Sequence, residues 1–208
     1  MENCALIFTG GESPSTLEHI SLPPCPFVCA ADSGLEQALK LGFSVDVAIG
    51  DFDSIKDPSL LNEITLKRLP RDKDITDTEA ALQLIRENNY DHYVLIGGGG
   101  RRFDHSLHLY SLFEKYGPPK LWLTAREQIY LVKKSFSKSF PHNTTLSIVP
   151  SFSSGQSKVT SQGLVWPLRD YPISMESQSI SNRNSESKVS LRVEGEAVFI
   201  IERRPALH

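Results

Sequence analysis

The stretch Val45-Asp46-Val47-Ala48-Ile49-Gly50-Asp51-Phe52-Asp53-Ser54 runs an apolar segment straight into two carboxylates one residue apart. A short apolar run bounded by turn residues reads as a buried strand. On an extended backbone, alternation puts Asp51 and Asp53 on one side and Phe52 on the other. Two ionised carboxylates about 5 Å apart repel by roughly 3 kcal/mol at an effective dielectric of about 20. A hard divalent cation such as Mg2+, which takes oxygen ligands, offsets that repulsion. So do nearby Lys and Arg side chains, or exposure on a turn.

Working outward, similar apolar runs lie at Cys4 to Phe8, Phe27 to Ala31, His92 to Ile96 and Lys120 to Leu123. Helical spacing marks Leu35 to Leu41, Thr78 to Arg86 and Ser106 to Tyr116. Strand and helix in alternation predict a parallel α/β sheet. The runs are followed in turn by Thr9-Gly10-Gly11, Asp32-Ser33-Gly34, Gly50-Asp51-Phe52-Asp53 and Gly97-Gly98-Gly99-Gly100-Arg101-Arg102-Phe103-Asp104-His105. In a parallel sheet these segments emerge at one edge, the carboxyl ends of the strands, where α/β proteins bind ligands. The acids therefore converge.

After about Ser135 the composition shifts to Ser, Thr, Gly and Pro between short β-rich runs at Thr144 to Val149, Lys158 to Thr160, Lys188 to Val193 and Ala197 to Glu202. The last two, joined through Glu194-Gly195-Glu196, predict a hairpin. The expected organisation is an α/β domain over residues 1–135 and an all-β domain over residues 136–208. Ser174 to Ser187 is Ser-rich, but a long structureless loop inside a compact domain is uncommon unless functional.

The chain of 208 residues is 39% hydrophobic and 23% charged, a composition of globular rather than disordered proteins. A net charge of −3 gives no electrostatic case for nucleic acid or an anionic membrane. The opening MENCALIFTGG has no basic leader and too short an apolar run for a membrane span, so a cytoplasmic protein is expected. Cys4, Cys25 and Cys29 are odd in number and lack zinc-like spacing, which reads as buried thiols.

Arg71-Asp72-Lys73-Asp74-Ile75-Thr76-Asp77-Thr78-Glu79 places three Asp residues ahead of a helix. Thr76 and Glu79 fit a capping box worth about 1 kcal/mol. A cap needs one or two of these groups, and the surplus acids suggest a metal or phosphate site. The Gly97 to Gly100 run, with Gly98 and Gly100 within it, permits close backbone approach and N–H groups that face a phosphate. Arg101 and Arg102 add bidentate donors. The run fits neither the Walker pattern nor G-x-G-x-x-G.

These residues carry a resemblance. Ala31-Asp32-Ser33-Gly34, Gly50-Asp51-Phe52-Asp53-Ser54, Lys73-Asp74-x-Thr76-Asp77 and Gly100-x-Arg102-Phe103-Asp104-His105 resemble, in order, the motif set of thiamine pyrophosphokinases. Ser161-Gln162-Gly163-Leu164-Val165-Trp166-Pro167-Leu168 is similar to that family's T-x-G-L-x-W-x-L segment, and Ser181-Asn182 to its following S-N pair. The resemblance spans nearly the whole chain. It implies a Rossmann-like α/β domain, a C-terminal β-sandwich, and a homodimer with active sites between subunits. It also implies transfer of the terminal diphosphate of ATP, with Mg2+, to the hydroxyl of thiamine, releasing AMP.

By that resemblance Asp51, Asp53 and Asp77 hold metal and polyphosphate, with Asp32, Asp74 and Asp104 in support. Lys73, Thr76 and Arg102 contact phosphate oxygens. Trp166 stacks on thiamine, and Ser181 and Asn182 line its pocket. Either Asp77 or Asp53 accepts or steers the hydroxyl proton. Trp122 reads as core. His105 packs or bonds a loop carbonyl or a phosphate, and His108 reads as an ordinary histidine. The chain departs from the family pattern at Ser33, Arg101 and Leu109, where Gly, Gly and Asn are usual. Leu109 removes a polar contact near the site.

Other functions compete. A haloacid-dehalogenase-like phosphohydrolase also carries D-x-D after an apolar strand, but wants Thr or Val two residues after the second Asp, where Ile55 stands. A non-catalytic nucleotide- or thiamine-binding protein would use the same cleft without needing so many metal-capable acids. A diphosphokinase acting on a pterin would not need the segment around Trp166.

Overall fold

The computed structural model describes residues 3–52, 61, 64–70, 72, 74–100 and 102–204. Asp53, Lys73 and Arg101 lie outside the described residues. The chain divides into two units, Met1–Ala125 and Arg126–His208.

In the first unit the strands are β1 (Cys4–Phe8), β2 (Phe27–Ala31), β3 (Val47–Gly50), β4 (Thr65–Arg68), β5 (His92–Ile96) and β6 (Leu121–Leu123). They form a parallel sheet in the order β6-β5-β1-β2-β3-β4. The inner strands are continuous apolar runs because helices pack on a parallel sheet and little of it meets water. Ile7, Phe8, Leu95 and Ile96 have no exposed surface, each burial contributing about 1.5–3 kcal/mol. β3 starts later than its apolar run because Asp46 is already hooked to β2. The Asp46 carboxylate accepts from the Val28 N–H at 2.7 Å, and the Asp46 N–H donates to the Val28 carbonyl at 2.9 Å. β4, Thr-Leu-Lys-Arg, was not expected from sequence; it is a polar edge strand with no apolar face to signal it.

The helices are α1 (Gly34–Lys40), α2 (Asp77–Glu87) and α3 (Phe103–Tyr116). α2 begins where expected because the Thr76 hydroxyl accepts from the Glu79 N–H at 3.2 Å, while Ala80, Ala81, Leu82 and Ile85 form its buried side. α1 packs on β1 and β2, α2 on β2 and β3, and α3 on α2. No helix among the described residues is long and apolar enough to cross a membrane. The three cysteines are free thiols; Cys4 and Cys29 are buried and Cys25 is half-buried.

The second unit is an all-β sandwich. One antiparallel sheet takes β12 (Ser179–Arg183), β9 (Thr145–Pro150), β14 (Val198–Arg203) and β7 (Glu127–Val132). The other takes β11 (Tyr171–Ile173), β10 (Ser157–Gln162), β13 (Lys188–Gly195) and β8 (Ser135–Ser139). Leu146, Ile148 and Ile200 from the first sheet share one core with Val159, Val189 and Leu191 from the second. The division falls at Ala125/Arg126, earlier than the change in composition near Ser135, because β7 pairs with β14 along its length.

The expected hairpin is corrected. β13 pairs with β10 and β8, and β14 with β7 and β9, so Glu194-Gly195-Glu196 carries the chain from one sheet to the other. Gly195 has φ +98, and a Cβ there would meet the Gln156 carbonyl oxygen at 2.5 Å. Alternation in β13 identified its buried face but not its partner. The Ser-rich stretch holds β12 and a bridge between Ser174 and Ser177, and is not a structureless loop.

Candidate active site

The carboxyl ends of β1, β2 and β5, with the amino ends of α2 and α3, surround a cleft of about 770 Å³ in the first unit. Asp32, Thr76, Asp77, Gly98, Arg102 and Asp104 line it, as does the Thr9 to Glu12 turn. Parallel topology brings these distant segments together, as the strand ends implied. Asp51 is half-buried, while Asp74 is exposed; neither they nor Gly100 are among the residues lining the cleft.

Two backbone positions near the acids are left-handed without glycine: Asp32 at φ +47 and Phe52 at φ +59. The expected extended alternation through Asp51-Phe52-Asp53 is therefore corrected at Phe52. The Phe52 ring is 93% withdrawn from solvent, being 7% exposed, and the Arg68 guanidinium lies 5.5 Å from its centroid. Burying the ring reverses the backbone, which a strand reading of D-F-D does not foresee. Such strain concentrates at functional sites. Asp32 is fixed by its N–H, which donates to the Ile49 carbonyl at 2.8 Å. A Cβ on Gly50 would come within 3.5 Å of Asp77 Oδ1 and 3.4 Å of the Asp32 Cα. Those are ordinary contact distances, so Gly50 lies beside both the Asp32 and Asp77 segments.

The glycine run works differently from expectation. The Gly97 N–H donates to the Leu123 carbonyl at 2.9 Å and the Gly98 N–H to the Gly10 carbonyl at 2.8 Å. These two donors are consumed inside the protein, so Gly98, which lines the cleft, does not offer its N–H there as expected. What the run supplies is closeness: a Cβ on Gly97 would lie 2.2 Å from the Thr9 carbonyl oxygen. The Glu12 N–H in turn donates to the Gly99 carbonyl at 2.8 Å, and the Glu12 side chain lies against Gly100. Trp122 donates its indole N–H to the Gly97 carbonyl at 2.8 Å and packs edge-on to Phe113 at 5.6 Å, a core role.

Arg102 and Asp104 form a two-point ion pair, Nε to Oδ1 at 3.0 Å and Nη2 to Oδ2 at 2.5 Å. That hydrogen bond holds the Asp104 carboxyl well below the usual carboxylate range and raises the Arg102 guanidinium. Both side chains are about two-thirds exposed, at 67% and 64%, so the pair contributes little to stability, while it orients the Arg102 guanidinium among the residues that line the cleft. The Thr9 and Thr78 hydroxyls touch across the cleft floor.

Sequence reasoning passed over His108, which lines the cleft with Nε2 at 3.3 Å from Thr76 Oγ1, and was undecided on His105, which also lines it. The one local signal was that His108 stands four residues after Asp104 on α3 and so shares its face; its contact with Thr76, 32 residues away, leaves no sign in the sequence. Leu109 is buried and its side chain packs where a Gly98 Cβ would point, so it forms apolar wall.

In the second unit Trp166 is 55% exposed, not core. The Arg183 guanidinium lies 5.5 Å from the centroid of its ring. Ser181 is exposed with φ +56, its N–H donating to Ser147 Oγ at 3.0 Å. Asn182 is buried, and its carboxamide is engaged with the backbone of Trp166. Pocket-lining does not describe Asn182; it holds the segment that carries the exposed ring.

Comparison with known proteins gives two adjoining family matches: "Thiamin pyrophosphokinase, catalytic domain" over residues 21–122 and "Thiamin pyrophosphokinase, vitamin B1 binding domain" over residues 132–196. No curated protein sequence matches the chain. Among solved structures, thiamine pyrophosphokinase from Bacillus subtilis superposes with a TM-score of 0.76 at 21% identity, covering 97% of this chain and 99% of that one. The Geobacillus thermodenitrificans protein gives 0.74 at 22% identity over 98% of both chains. The yeast protein gives 0.65 at 16% identity, covering 97% of this chain and 86% of that one. At these identities the likeness establishes the fold.

Proposed function

The chain belongs to the thiamin pyrophosphokinase family, and we propose that it transfers the terminal diphosphate of ATP to the hydroxyl of thiamine, giving thiamine diphosphate and AMP. The observation that carries this reading is the convergence of Asp32, Thr76, Asp77, Arg102 and Asp104 in one cleft at the strand ends. Diphosphate transfer needs little covalent help from a protein; it needs alignment and neutralisation of developing charge. The thiamine oxygen attacks the β-phosphorus, the bond from that phosphorus to the α–β bridging oxygen breaks, and AMP leaves with the electron pair. Arg102 neutralises phosphate charge, and the Thr76 hydroxyl binds a phosphate oxygen. Asp77 or Asp53 takes or steers the hydroxyl proton.

The donor set suits Mg2+. Among the described residues no three metal-capable side chains cluster, but Asp32 and Asp77 both line the cleft, with Gly50 beside each of them. Mg2+ is commonly held by one or two carboxylates, with waters and substrate phosphates completing its shell. Asp77 would hold it, together with Asp51 and Asp53 as the resemblance implies, Asp53 lying outside the described residues. Bound there, Mg2+ would neutralise charge that develops on the transferred phosphates.

The Trp166 ring supplies a face for the thiazolium, a contact worth about 1 kcal/mol. Its exposure together with that of Val165, Met175 and Ile180 supports a homodimer in which a second copy completes the site. The test is incubation of the purified protein with ATP, Mg2+ and thiamine. AMP and thiamine diphosphate in equal amounts are expected, with loss of turnover on chelation of the metal. ADP as product, or tight binding of both substrates with no product over hours, overturns the reading. Release of phosphate from simple monoesters would favour the phosphohydrolase.

A further inference from the structure

We propose that His108 is a positioning residue: it fills a lone pair of the Thr76 hydroxyl so that the hydroxyl proton is left to donate into the cleft. This rests on the reading that the cleft takes a polyphosphate.

A threonine hydroxyl has one proton and two lone pairs. At Thr76 one lone pair already accepts from the Glu79 N–H at 3.2 Å, capping α2. His108 Nε2 stands 3.3 Å from the same oxygen. When Nε2–H donates, both lone pairs are occupied and the proton is the only bonding capacity left. Thr76 lines the cleft, so that proton is directed at whatever anion the cleft holds.

The arrangement does not depend on its own weak contact. α2 and α3 are joined independently by Lys115 Nζ to Glu79 Oε1 at 2.8 Å, by Tyr116 Oη to the same oxygen at 3.1 Å, and by Arg86 Nη1 to the Lys115 carbonyl at 3.0 Å. His108 is exposed. Removing the imidazole therefore leaves the frame standing and changes only what Thr76 presents.

The experiment is a double-mutant cycle on the full chain. Binding of inorganic tripolyphosphate is followed by calorimetry, and turnover of ATP and thiamine by AMP release. His108→Ala is expected to weaken tripolyphosphate binding about 5- to 10-fold and to raise the KM for ATP similarly, with kcat changed less than about 2-fold. His108→Gln, which keeps an N–H donor near the Nε2 position, should restore most of the loss. In a Thr76→Val background His108→Ala should add nothing, whereas Thr76→Ser, which keeps the hydroxyl, should preserve the dependence. Additive losses, an unchanged affinity in His108→Ala, or a wild-type protein that does not bind tripolyphosphate would each overturn the inference. A non-additive cycle in a protein that releases no AMP would sink the proposed reaction and leave the role of His108 intact.

Discussion

The carboxamide of Asn182 brackets the backbone of Trp166, accepting from its N–H at 3.2 Å and donating to its carbonyl at 2.8 Å. Its oxygen also accepts from the Arg183 N–H at 2.8 Å, and its nitrogen lies 3.4 Å from Ser179 Oγ. A side chain only 2% exposed thus fixes a neighbour that is 55% exposed. The buried half of the pair sets the posture of the exposed ring.

Asn182→Asp keeps the shape but removes the donor to Trp166 and buries a charge. It should cost about 2–3 kcal/mol of stability. At temperatures where the variant is folded, the KM for thiamine should rise more than kcat falls. Thermal unfolding and steady-state kinetics check both. Ser181→Ala, at an exposed position, should change stability by less than about 0.5 kcal/mol.

Much of this was legible in sequence, and the misses have causes. β1, β2 and β5 carry uninterrupted apolar runs, and their bounds coincide with the runs. β4 and β12 were not legible, because strands with little buried surface leave no hydrophobic period to detect. The β13–β14 connection misled because a turn-like tripeptide between two strands does not say whether the strands share a sheet. That Asp32, Thr76, Asp77, Arg102 and Asp104 come together in one cleft was legible because motif order and strand ends agree. His108 was missed because its partner, Thr76, lies 32 residues away, a contact created by packing α3 on α2.

Gly98 is crowded and left-handed at once. Its φ is +71, and a Cβ would meet Leu109 Cδ2 at 2.4 Å. Gly42 has φ +81 with nothing near its Cβ. Gly42→Ala should therefore cost only the backbone strain, about 1 kcal/mol, and Gly98→Ala that plus about 1–2 kcal/mol of overpacking. Gly98→Ala with Leu109→Ala should recover part of the crowding cost but none of the strain. Denaturant unfolding of these three variants, and of Leu109→Ala alone, separates the two effects.

Glu79 gives stability a pH signature. Its folded-state pKa is depressed, so its contribution is fully present above the ordinary carboxyl range and is lost as pH falls through the folded value. Glu79→Gln should be less stable than wild type by about 1–2 kcal/mol at neutral pH, and the gap should narrow on acidification below about pH 4. A gap that widens in acid would contradict the assignment. Melting temperatures across that range decide it.

In the sandwich, Lys138 on β8 reaches across to Glu202 on β14 at 2.8 Å, and the Tyr130 hydroxyl donates to the same carboxylate oxygen at 3.0 Å. Glu202 is 7% exposed, so its charge has little water to fall back on. Lys138 also stacks over Phe140 at 4.3 Å and Tyr130 at 5.2 Å, so its stem and head both pack. Breaking such a pair from one side strands a charge, while replacing both partners with apolar groups can be close to neutral. Lys138→Met should thus cost about 2–3 kcal/mol, leaving Glu202 without its ammonium partner, and Lys138→Met with Glu202→Leu should recover most of it. Because Tyr130 then loses its carboxylate acceptor but keeps Gln128 Oε1 at 2.5 Å, the recovery should not depend on removing the tyrosine hydroxyl. Tyr130→Phe in the double-mutant background should change the unfolding midpoint little. Losses in the double mutant as large as the sum of the two single variants would mean that the ion pair does not act as a unit.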